Sequence, residues 1–366
     1  MRSIRRFALI GHARDSRHIY EGLRKKYLPT PPFSDETVFR WMEETPPFVA
    51  DFWPDYLTCP DCCVSGVHIP VPATPEYFAR RPRHSLEKIR QAISLAARLG
   101  ANVITLGGLT SILFRRYQEA AAQQYGVAIT SGNTLTAAVT VKMLERAASL
   151  RHVDLSKSAL AVLGASGDIG SGCCQAFAGR VSQLILVGRH LGRLRDLEEK
   201  LRSSYSAACI ATCTDIGAAV KNADLVISAT SAANLDLDTR IFKRRAIVCD
   251  VGYPRNISRG ISEGDQPWVF DGGLVKLPKP LPSDWDTGLP SEGVTFGCYA
   301  EGMLLTLEGI TENYSRGKGH ITPASMEQTY ALAQKHGFRE VDVANAESVC
   351  GGPIEMPGVA ESRSNE

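Results

Sequence analysis

Short apolar runs alternate with helical stretches along most of the chain. In its middle lie four apolar runs without polar alternation, namely ALAVLG, QLILVG, DLVISAT and AIVCDVG. Strands that are buried on both faces of a parallel sheet have this pattern, because helices cover both sides of such a sheet. The pattern therefore predicts an α/β fold with a Rossmann-like domain at its centre.

The same pattern divides the chain into four parts. We expect residues 1–150 to form an N-terminal α/β domain that binds substrate, and residues 151–290 to form the Rossmann-like domain. A helical region follows over residues 291–340. Residues 341–366 are polar and contain Gly and Pro, so we expect a disordered tail. Residues 27–63 are rich in proline and aromatics and predict long loops with a helical insert.

A glycine-rich turn, GASGDIG, follows the first strand of the predicted Rossmann domain and opens a helix. Glycine lets the backbone approach a pyrophosphate, and free N–H groups at a helix start bind the anion. The spacing GxxGxxG is a variant of the more common GxGxxG, and a tight turn without a ligand is the alternative interpretation. We expect cofactor contacts from the whole turn: Gly164, Ser166, Gly167, Asp168, Ile169 and Gly170.

The end of the next strand distinguishes the two nicotinamide cofactors. An acid there binds the 2′-hydroxyl of NAD, whereas an arginine favours the 2′-phosphate of NADP. The sequence has Arg189 at this place and Arg193 one helical turn later, with no acid before Asp196. NADPH is therefore the predicted cofactor. Gly252 and Tyr253 follow the last clear strand, at the sheet edge where such folds bind ligands, and are further candidates for cofactor contact.

Composition excludes some classes of protein but does not identify a reaction. Hydrophobic residues make up 44% of the chain and charged residues 22%, and no apolar run reaches the roughly 18 residues of a membrane span. The apolar stretch near the N-terminus is too short for a signal peptide, so we expect a cytoplasmic protein with reduced cysteines. Cys59, Cys62 and Cys63 include a CxxC pair without a second ligand pair, which favours loop cysteines over a metal site. No metal is predicted.

The net charge of +2 is unevenly distributed. Residues 1–30 carry eight basic groups against two acids, and Arg80, Arg81, Arg83 and Lys88 form a second basic cluster. Such a face either steers an acidic partner or is a solvated surface. We expect no nucleic-acid partner and no membrane span.

Two further stretches have two interpretations each. Cys298 lies in GCYAEGMLLTLEG, at the predicted start of a helix. Its apolar context favours a small packing residue. A helix N-terminus would instead stabilise the thiolate and lower the pKa of a reactive thiol. Asn133 and Thr134 begin another predicted helix, and they either cap it or donate hydrogen bonds to a bound carbonyl or nicotinamide.

These blocks together resemble the long-chain acyl-(acyl-carrier-protein) reductases of alkane-making cyanobacteria. The matching pieces occur in the family's order over residues 7–338: LIGH, LGGLTSI, TSGNTLTAA, GASGDIGS, DVGYPRN, GCYAEGMLLTLEG, NYSRGKGHIT and KHGF. The resemblance implies that NADPH reduces a fatty acyl thioester, carried by acyl carrier protein or CoA, to a fatty aldehyde. It implies that Cys298 is the nucleophile. An aldehyde-consuming enzyme is a further candidate partner.

Three functions therefore compete. The first is an acyl-thioester reductase that works through an acyl-cysteine. The second is a dehydrogenase of a small hydroxy or keto acid, similar to shikimate dehydrogenase, which transfers hydride without a covalent step. The third is a non-catalytic NADP-binding module. Formation of aldehyde from an acyl thioester and NADPH distinguishes them.

Overall fold

We analysed a computed structural model of the chain. It describes residues 3–27, 34–59, 62–231, 235–253, 255–257, 265–283, 293–317 and 319–343.

The first part of the chain folds around a five-stranded sheet. Its strands are β1 (Ser3–His12), β2 (Asp51–Cys59), β3 (Cys62–Val71), β4 (Val103–Leu106) and β5 (Ala128–Thr130). The order is β2-β3-β1-β4-β5, and every pairing is parallel except that of β2 with β3. The helices are α1 (Ser16–Tyr27), α2 (Asp35–Glu44), α3 (Pro75–Arg80), α4 (Pro82–Arg98), α5 (Leu109–Phe114), α6 (Gln118–Tyr125) and α7 (Asn133–Leu150).

The proline-rich stretch is more regular than the sequence predicts. The expected helical insert is α2, but the following segment is a strand and not a loop. A bulge between Trp53 and Leu57 interrupts its pairing with β3. Trp53 and Tyr56 are both buried, with ring centroids 6.2 and 6.1 Å from that of Phe7. Aromatic packing on the first strand therefore holds this edge of the sheet.

Cys59 and Cys62 are joined by a disulfide, which contradicts the expectation of reduced loop cysteines. The two residues are partners in the β2–β3 register, and their Cα atoms lie 5.0 Å apart. This distance is within the range of protein disulfides. Cys63 is free and half-buried. Among the described residues, no three His, Cys, Asp or Glu side chains cluster as metal ligands would.

The second sheet has the Rossmann topology that the apolar runs predict. Its strands are β6 (Ala159–Leu163), β7 (Gln183–Val187), β8 (Ile210–Cys213), β9 (Leu225–Ser228), β10 (Ile247–Asp250) and β11 (Trp268–Asp271). All pairings are parallel in the order β11-β10-β9-β6-β7-β8. The strand order reverses beside β6, which is where such sheets bind nucleotides. The associated helices are α8 (Asp168–Phe177), α9 (Leu191–Ser204) and α10 (Ile216–Lys221), with 3-10 turns at Leu155–Lys157 and Thr239–Ile241.

The last part contains the predicted helices and a small antiparallel sheet. Its strands are β12 (Leu274–Lys276), β13 (Val294–Phe296) and β14 (Arg339–Glu340), and its helices are α11 (Gly297–Glu308) and α12 (Pro323–Lys335). The fold class is therefore confirmed as α/β with a central Rossmann-like domain. Val341 and Val343 are buried, so residues 341–343 do not belong to the predicted disordered tail. Residues 344–366 lie outside the described part.

Two helices link the sheets. In α11, ten of its twelve residues are buried, as expected of a helix that is apolar all round. It packs against β1, β4 and α7. The α7 helix, in turn, contacts α8 and shares one apolar core with β6 and β7. No described helix is both long and apolar enough to cross a membrane.

Candidate active site

The carboxyl ends of the two parallel sheets face a common cavity of about 260 Å³. The first sheet contributes the residues that end β1 and follow β4. The second contributes the turns after β6, β9, β10 and β11. The start of α11 completes the wall. The lining includes Gly11, His12, Gly107, Gly108, Arg115, Thr136, Thr230, Gly272, Gly273, Phe296 and Tyr299.

The structure brings several of the predicted residues into this cavity and places others beside it. Those in the lining are Asn133, Gly167, Asp168, Ile169, Gly252, Tyr253 and Cys298. Those outside the lining are Thr134, Gly164, Ser166, Gly170, Arg189 and Arg193.

The glycine-rich turn has the shape that a pyrophosphate requires. Gly164 has a φ of +78°, and a Cβ there would lie 2.7 Å from the Ala229 carbonyl oxygen. A Cβ on Gly170 would lie 2.3 Å from the Gly164 carbonyl oxygen. Only glycine permits these approaches, which pack the start of α8 against the strands. No side chain caps α8 at Gly167, so the helix start presents backbone N–H groups to the cavity. The turn therefore fits a dinucleotide.

The two arginines that predict NADPH lie further along the same sheet edge. Arg189 follows β7, and both Arg189 and Arg193 are exposed. Neither forms an ion pair or a hydrogen bond with another described residue. Ser166, in the glycine-rich turn, lies close to the end of β7. A Cβ added to Gly188 would lie 3.9 Å from the Ser166 Oγ. Both guanidinium groups are therefore accessible to a ligand beyond β7.

Of the two residues that begin α7, only Asn133 faces the cavity. The Thr134 side chain is buried, and its hydroxyl lies 2.6 Å from the Ser315 Oγ. The hydroxyl of Thr134 is therefore engaged within the protein, and its expected role as a ligand contact stays a prediction. Neither residue caps the helix, whose N-cap is Gly132.

Glu301 takes over that capping role. It is fully buried, and its Oε2 accepts the Leu135 N–H at 2.8 Å. Its Oε1 accepts from the hydroxyls of Thr130 (2.5 Å) and Ser315 (2.7 Å). Burial raises the pKa of this carboxyl, while the hydrogen bonds oppose the change. A carboxylate is favourable at a helix N-terminus. Glu301 therefore connects the helix that carries Cys298 with the helix that carries Asn133.

Cys298 lies in the first turn of α11, half-buried beside the cavity. Its backbone packs directly on Gly132, where a Cβ would lie 2.1 Å from the Cys298 Cα. Gly297 is equally confined, and its N–H donates to the Gly273 carbonyl at 2.7 Å. The position of the thiol is therefore set by close backbone contacts on two sides.

The pKa of this thiol bears on the two sequence-based interpretations of Cys298. Burial raises it from 9.0 to about 12. The backbone N–H of Tyr299, the charge of Glu301 and the backbone N–H groups of Cys298 and Gly108 have smaller effects, and all but the Glu301 charge lower the pKa. The predicted stabilisation by the helix start is present, but desolvation of the thiolate outweighs it. Cys298 is therefore a protonated thiol at neutral pH.

His12 is a site residue that the sequence did not single out. Its Nε2 accepts the Leu109 N–H at 3.0 Å, and its Nδ1 lies 2.8 Å from the Ala13 carbonyl oxygen. Burial lowers its pKa to about 4, so the ring is neutral. It anchors the turn after β4, in which Gly108 presents its N–H to the Cys298 sulfur. The blocks LIGH and LGGLTSI, which end two parallel strands, are the signal that could have identified it.

Aromatic rings separate the main cavity from a smaller one. Tyr253 contacts His12 and Phe296, with ring centroids 5.5 and 5.2 Å apart. Tyr299 and His12 border both spaces. The second cavity, of about 40 Å³, is mostly apolar and includes Ile19, Trp41, Phe48, Pro70, Val71 and Pro72 in its lining.

The loop that carries Tyr253 is fixed by a buried carboxyl. Asp250 accepts the N–H groups of Gly252 at 3.0 Å and Asn256 at 2.9 Å. The Asn256 side chain also donates to the Thr230 carbonyl at 3.0 Å. Burial raises the pKa of Asp250 to about 6.

Some described side chains of the expected basic face are engaged within the fold, whereas Arg2 and the side chains of Arg24, Lys25 and Lys26 lie outside the described part. Lys88 is buried, donates to the Thr45 carbonyl, and has a pKa that burial lowers to about 8. Arg5 donates to the Leu307 carbonyl at 2.7 Å. Arg83, by contrast, is exposed and forms no ion pair with a described residue. Several of the counted charges therefore hold the fold together and do not form a uniform surface.

The chain is similar to several known proteins. The family model described as shikimate / quinate 5-dehydrogenase matches residues 145–271. A curated relative, the long-chain acyl-[acyl-carrier-protein] reductase of Synechococcus elongatus, is 29% identical over 92% of this chain and 99% of its own length. The aminotransferase PigE of Serratia sp. is 30% identical over 65% of this chain and 28% of its own. Among solved structures, quinate dehydrogenase from Corynebacterium glutamicum in complex with NAD covers 95% of this chain and 99% of its own, at 13% identity and a TM-score of 0.36.

Fold, site and these similarities together define an oxidoreductase with an NAD(P)-binding Rossmann domain. More particularly, the predicted resemblance to the long-chain acyl-(acyl-carrier-protein) reductases is confirmed by the match along nearly the whole chain.

Proposed function

We propose that the protein reduces a fatty acyl thioester to a fatty aldehyde with NADPH, through a covalent acyl-Cys298. One observation carries this proposal. The thiol of Cys298 lies in the same cavity as the glycine-rich turn, and the N–H of Gly108 faces its sulfur. The relative that matches nearly the full chain bears the name of this activity.

In the first step, Cys298 loses its proton, and its sulfur attacks the carbonyl carbon of the thioester. The bond to the carrier's sulfur then breaks, and the carrier thiol leaves with the proton. The covalent route lets a bulky carrier depart before reduction. Backbone N–H groups that face Sγ, those of Gly108 and Tyr299, support the negative charge that develops beside it.

His12 orients this arrangement and does not remove the proton. Its Nε2 lone pair already accepts the Leu109 N–H, and its Nδ1 faces a carbonyl oxygen. A neutral ring with both nitrogens engaged has no site left for a proton. The role of His12 is therefore to fix the turn that carries the Gly108 N–H.

The second step is the reduction. When bound, NADPH supplies the hydride that the acyl carbon accepts. The resulting hemithioacetal oxyanion on Cys298 collapses to the aldehyde and the Cys298 thiolate, which takes up a proton from solvent. The glycine-rich turn and Tyr253 lie on the cofactor's side of the cavity, and Asn133 lies in the same lining as the thiol. Arg189 and Arg193, both exposed after β7, would bind the 2′-phosphate in this proposal.

The second cavity, of about 40 Å³, lies beside the thiol and is lined mostly by apolar side chains. It begins at His12 and Tyr299, next to the thiol, and continues between Trp41, Val71 and Ile19. The carrier is acyl carrier protein or CoA, and the exposed arginines around Arg83 offer an acidic carrier a complementary surface. The aldehyde then passes to an aldehyde-consuming enzyme.

A small-acid dehydrogenase is the second candidate. The shikimate / quinate 5-dehydrogenase model favours it over residues 145–271, a region that ends before Cys298. The match therefore covers the nucleotide-binding part and leaves the thiol unexplained.

The experiment combines two assays on the purified protein. With NADPH and palmitoyl-CoA or palmitoyl carrier protein, hexadecanal should form. Without NADPH, intact-mass spectrometry should show one palmitoyl group on the Cys298 peptide. Cys298→Ala should lose both the adduct and the aldehyde but still bind NADPH. Aldehyde formation by this variant at near wild-type rate would refute the covalent step. Oxidation of shikimate or quinate with NADP⁺, without aldehyde formation from thioesters, would instead support the second candidate.

A further inference from the structure

One cation in the cavity has no role in the function proposed above. Arg115 follows α5, in the N-terminal α/β part of the chain, yet it lines the cavity beside the glycine-rich turn of the Rossmann domain. Its Nη1 lies 4.0 Å from the Oδ1 of Asp168, the first residue of α8. The side chain is half exposed, with a relative accessibility of 50%. Such a long, exposed ion pair holds a guanidinium only weakly.

The backbone at Gly317 packs against the side chains of both Arg115 and Asp168. A Cβ on Gly317 would lie 3.2 Å from the Arg115 Cδ and 3.4 Å from the Asp168 Oδ2. Gly317 has a φ of +97°, which L side chains rarely adopt. Three segments that are distant in sequence therefore meet at the start of α8.

The charges that line the cavity indicate a role for Arg115. Among the described residues of its lining, Arg115 carries the only permanent positive charge and Asp168 the only carboxylate. A pyrophosphate at the start of α8 carries two negative charges and lies close to the Asp168 carboxylate. The helix start offers about half a charge, so a nearby cation is needed to offset the repulsion. Guanidinium suits this role because its planar fork binds phosphate oxygens in pairs.

We propose that Arg115 is a cofactor-binding residue that the N-terminal part contributes to the Rossmann site. Its guanidinium donates hydrogen bonds to the pyrophosphate of the nicotinamide nucleotide at the start of α8. Cofactor binding then joins both sides of the cavity before the acyl thioester enters. This inference rests on the proposed function only for the identity of the cofactor.

The phosphate of a pantetheine arm, in CoA or a carrier protein, is the other source of the same chemistry. The position of Arg115 favours the cofactor, because its nearest charged neighbour is the first residue of the phosphate-binding helix. The experiment separates the two sources.

The test measures binding and does not depend on turnover. NADPH, 2′-AMP and CoA are titrated by calorimetry into the wild type and into Arg115→Ala, Arg115→Lys and Arg116→Ala. Arg116 is the matched control, since it is an exposed neighbour outside the cavity lining. Arg115→Ala should raise the Kd for NADPH about 10-fold. Arg115→Lys should show a smaller loss, and Arg116→Ala should remain within about twofold of the wild type. Affinity for 2′-AMP, which has no pyrophosphate, should not change in any variant.

Each other outcome contradicts the inference. An unchanged NADPH affinity in Arg115→Ala overturns it, and an accompanying loss of CoA affinity would assign the residue to the pantetheine phosphate. Equal losses for NADPH and 2′-AMP would place Arg115 at the adenosine end. A wild type that does not bind NADPH would overturn the proposed function together with this inference, so the two failures are distinguishable.

Discussion

The acylation of Cys298 should accelerate steeply with pH. Only the thiolate attacks a thioester, and burial raises the pKa of this thiol to about 12. At pH 8 about one enzyme molecule in 10,000 then carries the thiolate. Each further pH unit increases that fraction about tenfold, so the rate between pH 7 and pH 9 should rise about 100-fold without levelling off. A cysteine with an unperturbed pKa of about 8.5 would gain only about 25-fold and flatten near pH 9.

The assay follows the palmitoyl adduct without NADPH, so that reduction does not remove it. Protein and palmitoyl-CoA are mixed at pH values between 6.5 and 9.5, and the mass shift is recorded over time. Cys298→Ala supplies the background from hydrolysis and from other thiols. Alkylation with iodoacetamide, mapped by peptide, gives an independent profile for Cys298. Cys209, which is exposed on the surface, serves as the internal reference in the same digest.

A rate that levels off below pH 8 would refute this reasoning. It would mean that the N–H groups of Tyr299 and Gly108, together with the start of α11, outweigh desolvation of the thiolate. The thiol would then be pre-ionised, as the second of the two sequence-based interpretations holds. An unbroken rise would show that proton loss limits acylation at neutral pH.

Four further predictions concern the cofactor, the partner, the site turn and stability. Arg189→Ala should weaken NADPH binding about 10- to 100-fold and NADH binding little, whereas equal losses would exclude it from the 2′-phosphate site. The KM for a carrier-bound substrate should rise with salt more steeply than that for acyl-CoA, and matching slopes would indicate that the arginines around Arg83 are only solvated. His12→Ala should lower kcat about 100-fold at an unchanged NADPH Kd, and a large loss of NADPH affinity would contradict its role in positioning Gly108. Asp250 has a folded pKa of about 6 against 3.8, so it stabilises the fold fully below about pH 4 and loses this contribution, about 3 kcal/mol, as pH rises through 6. Asp250→Asn should therefore flatten the dependence of Tm on pH over this range, and an unchanged slope would assign the dependence to other groups.

The Rossmann part was predictable because its signals are local. The strands β6, β9 and β10 are short apolar runs, and each is followed by small or polar residues that end at the cavity. Gly252 and Tyr253 were found by the same rule, since carboxyl ends of parallel strands meet at one edge. The strand β2 was missed because Pro54 and a bulge interrupt its alternation. Its burial depends on Phe7, which is distant in the chain.

The N-terminal half of the site was not predictable in the same way. His12, Gly108 and Arg115 reach the cavity only because the first sheet turns its carboxyl edge toward the second. Nothing near these residues in the sequence fixes that orientation. Thr134 is the opposite example. From the sequence, its hydroxyl at a helix start is free to bind a ligand, but in the structure Ser315, which is far along the chain, binds it.

Cys298 shows why the chemistry of a site is harder to predict than its location. Two effects of opposite sign act on its thiol, and only one can be read from the neighbouring residues. The helix start is local, and it lowers the pKa as expected. Burial of the thiol depends on tertiary contacts, because Gly132 packs on the Cys298 backbone. The charge of Glu301, which also lies in α11, raises the pKa of the thiol further. The Glu301 carboxylate is held there by the start of α7, to which Gly132 also belongs. The contacts that position the nucleophile are therefore the same ones that keep it protonated, and reactivity at neutral pH depends on the thiol losing its proton when the substrate is bound.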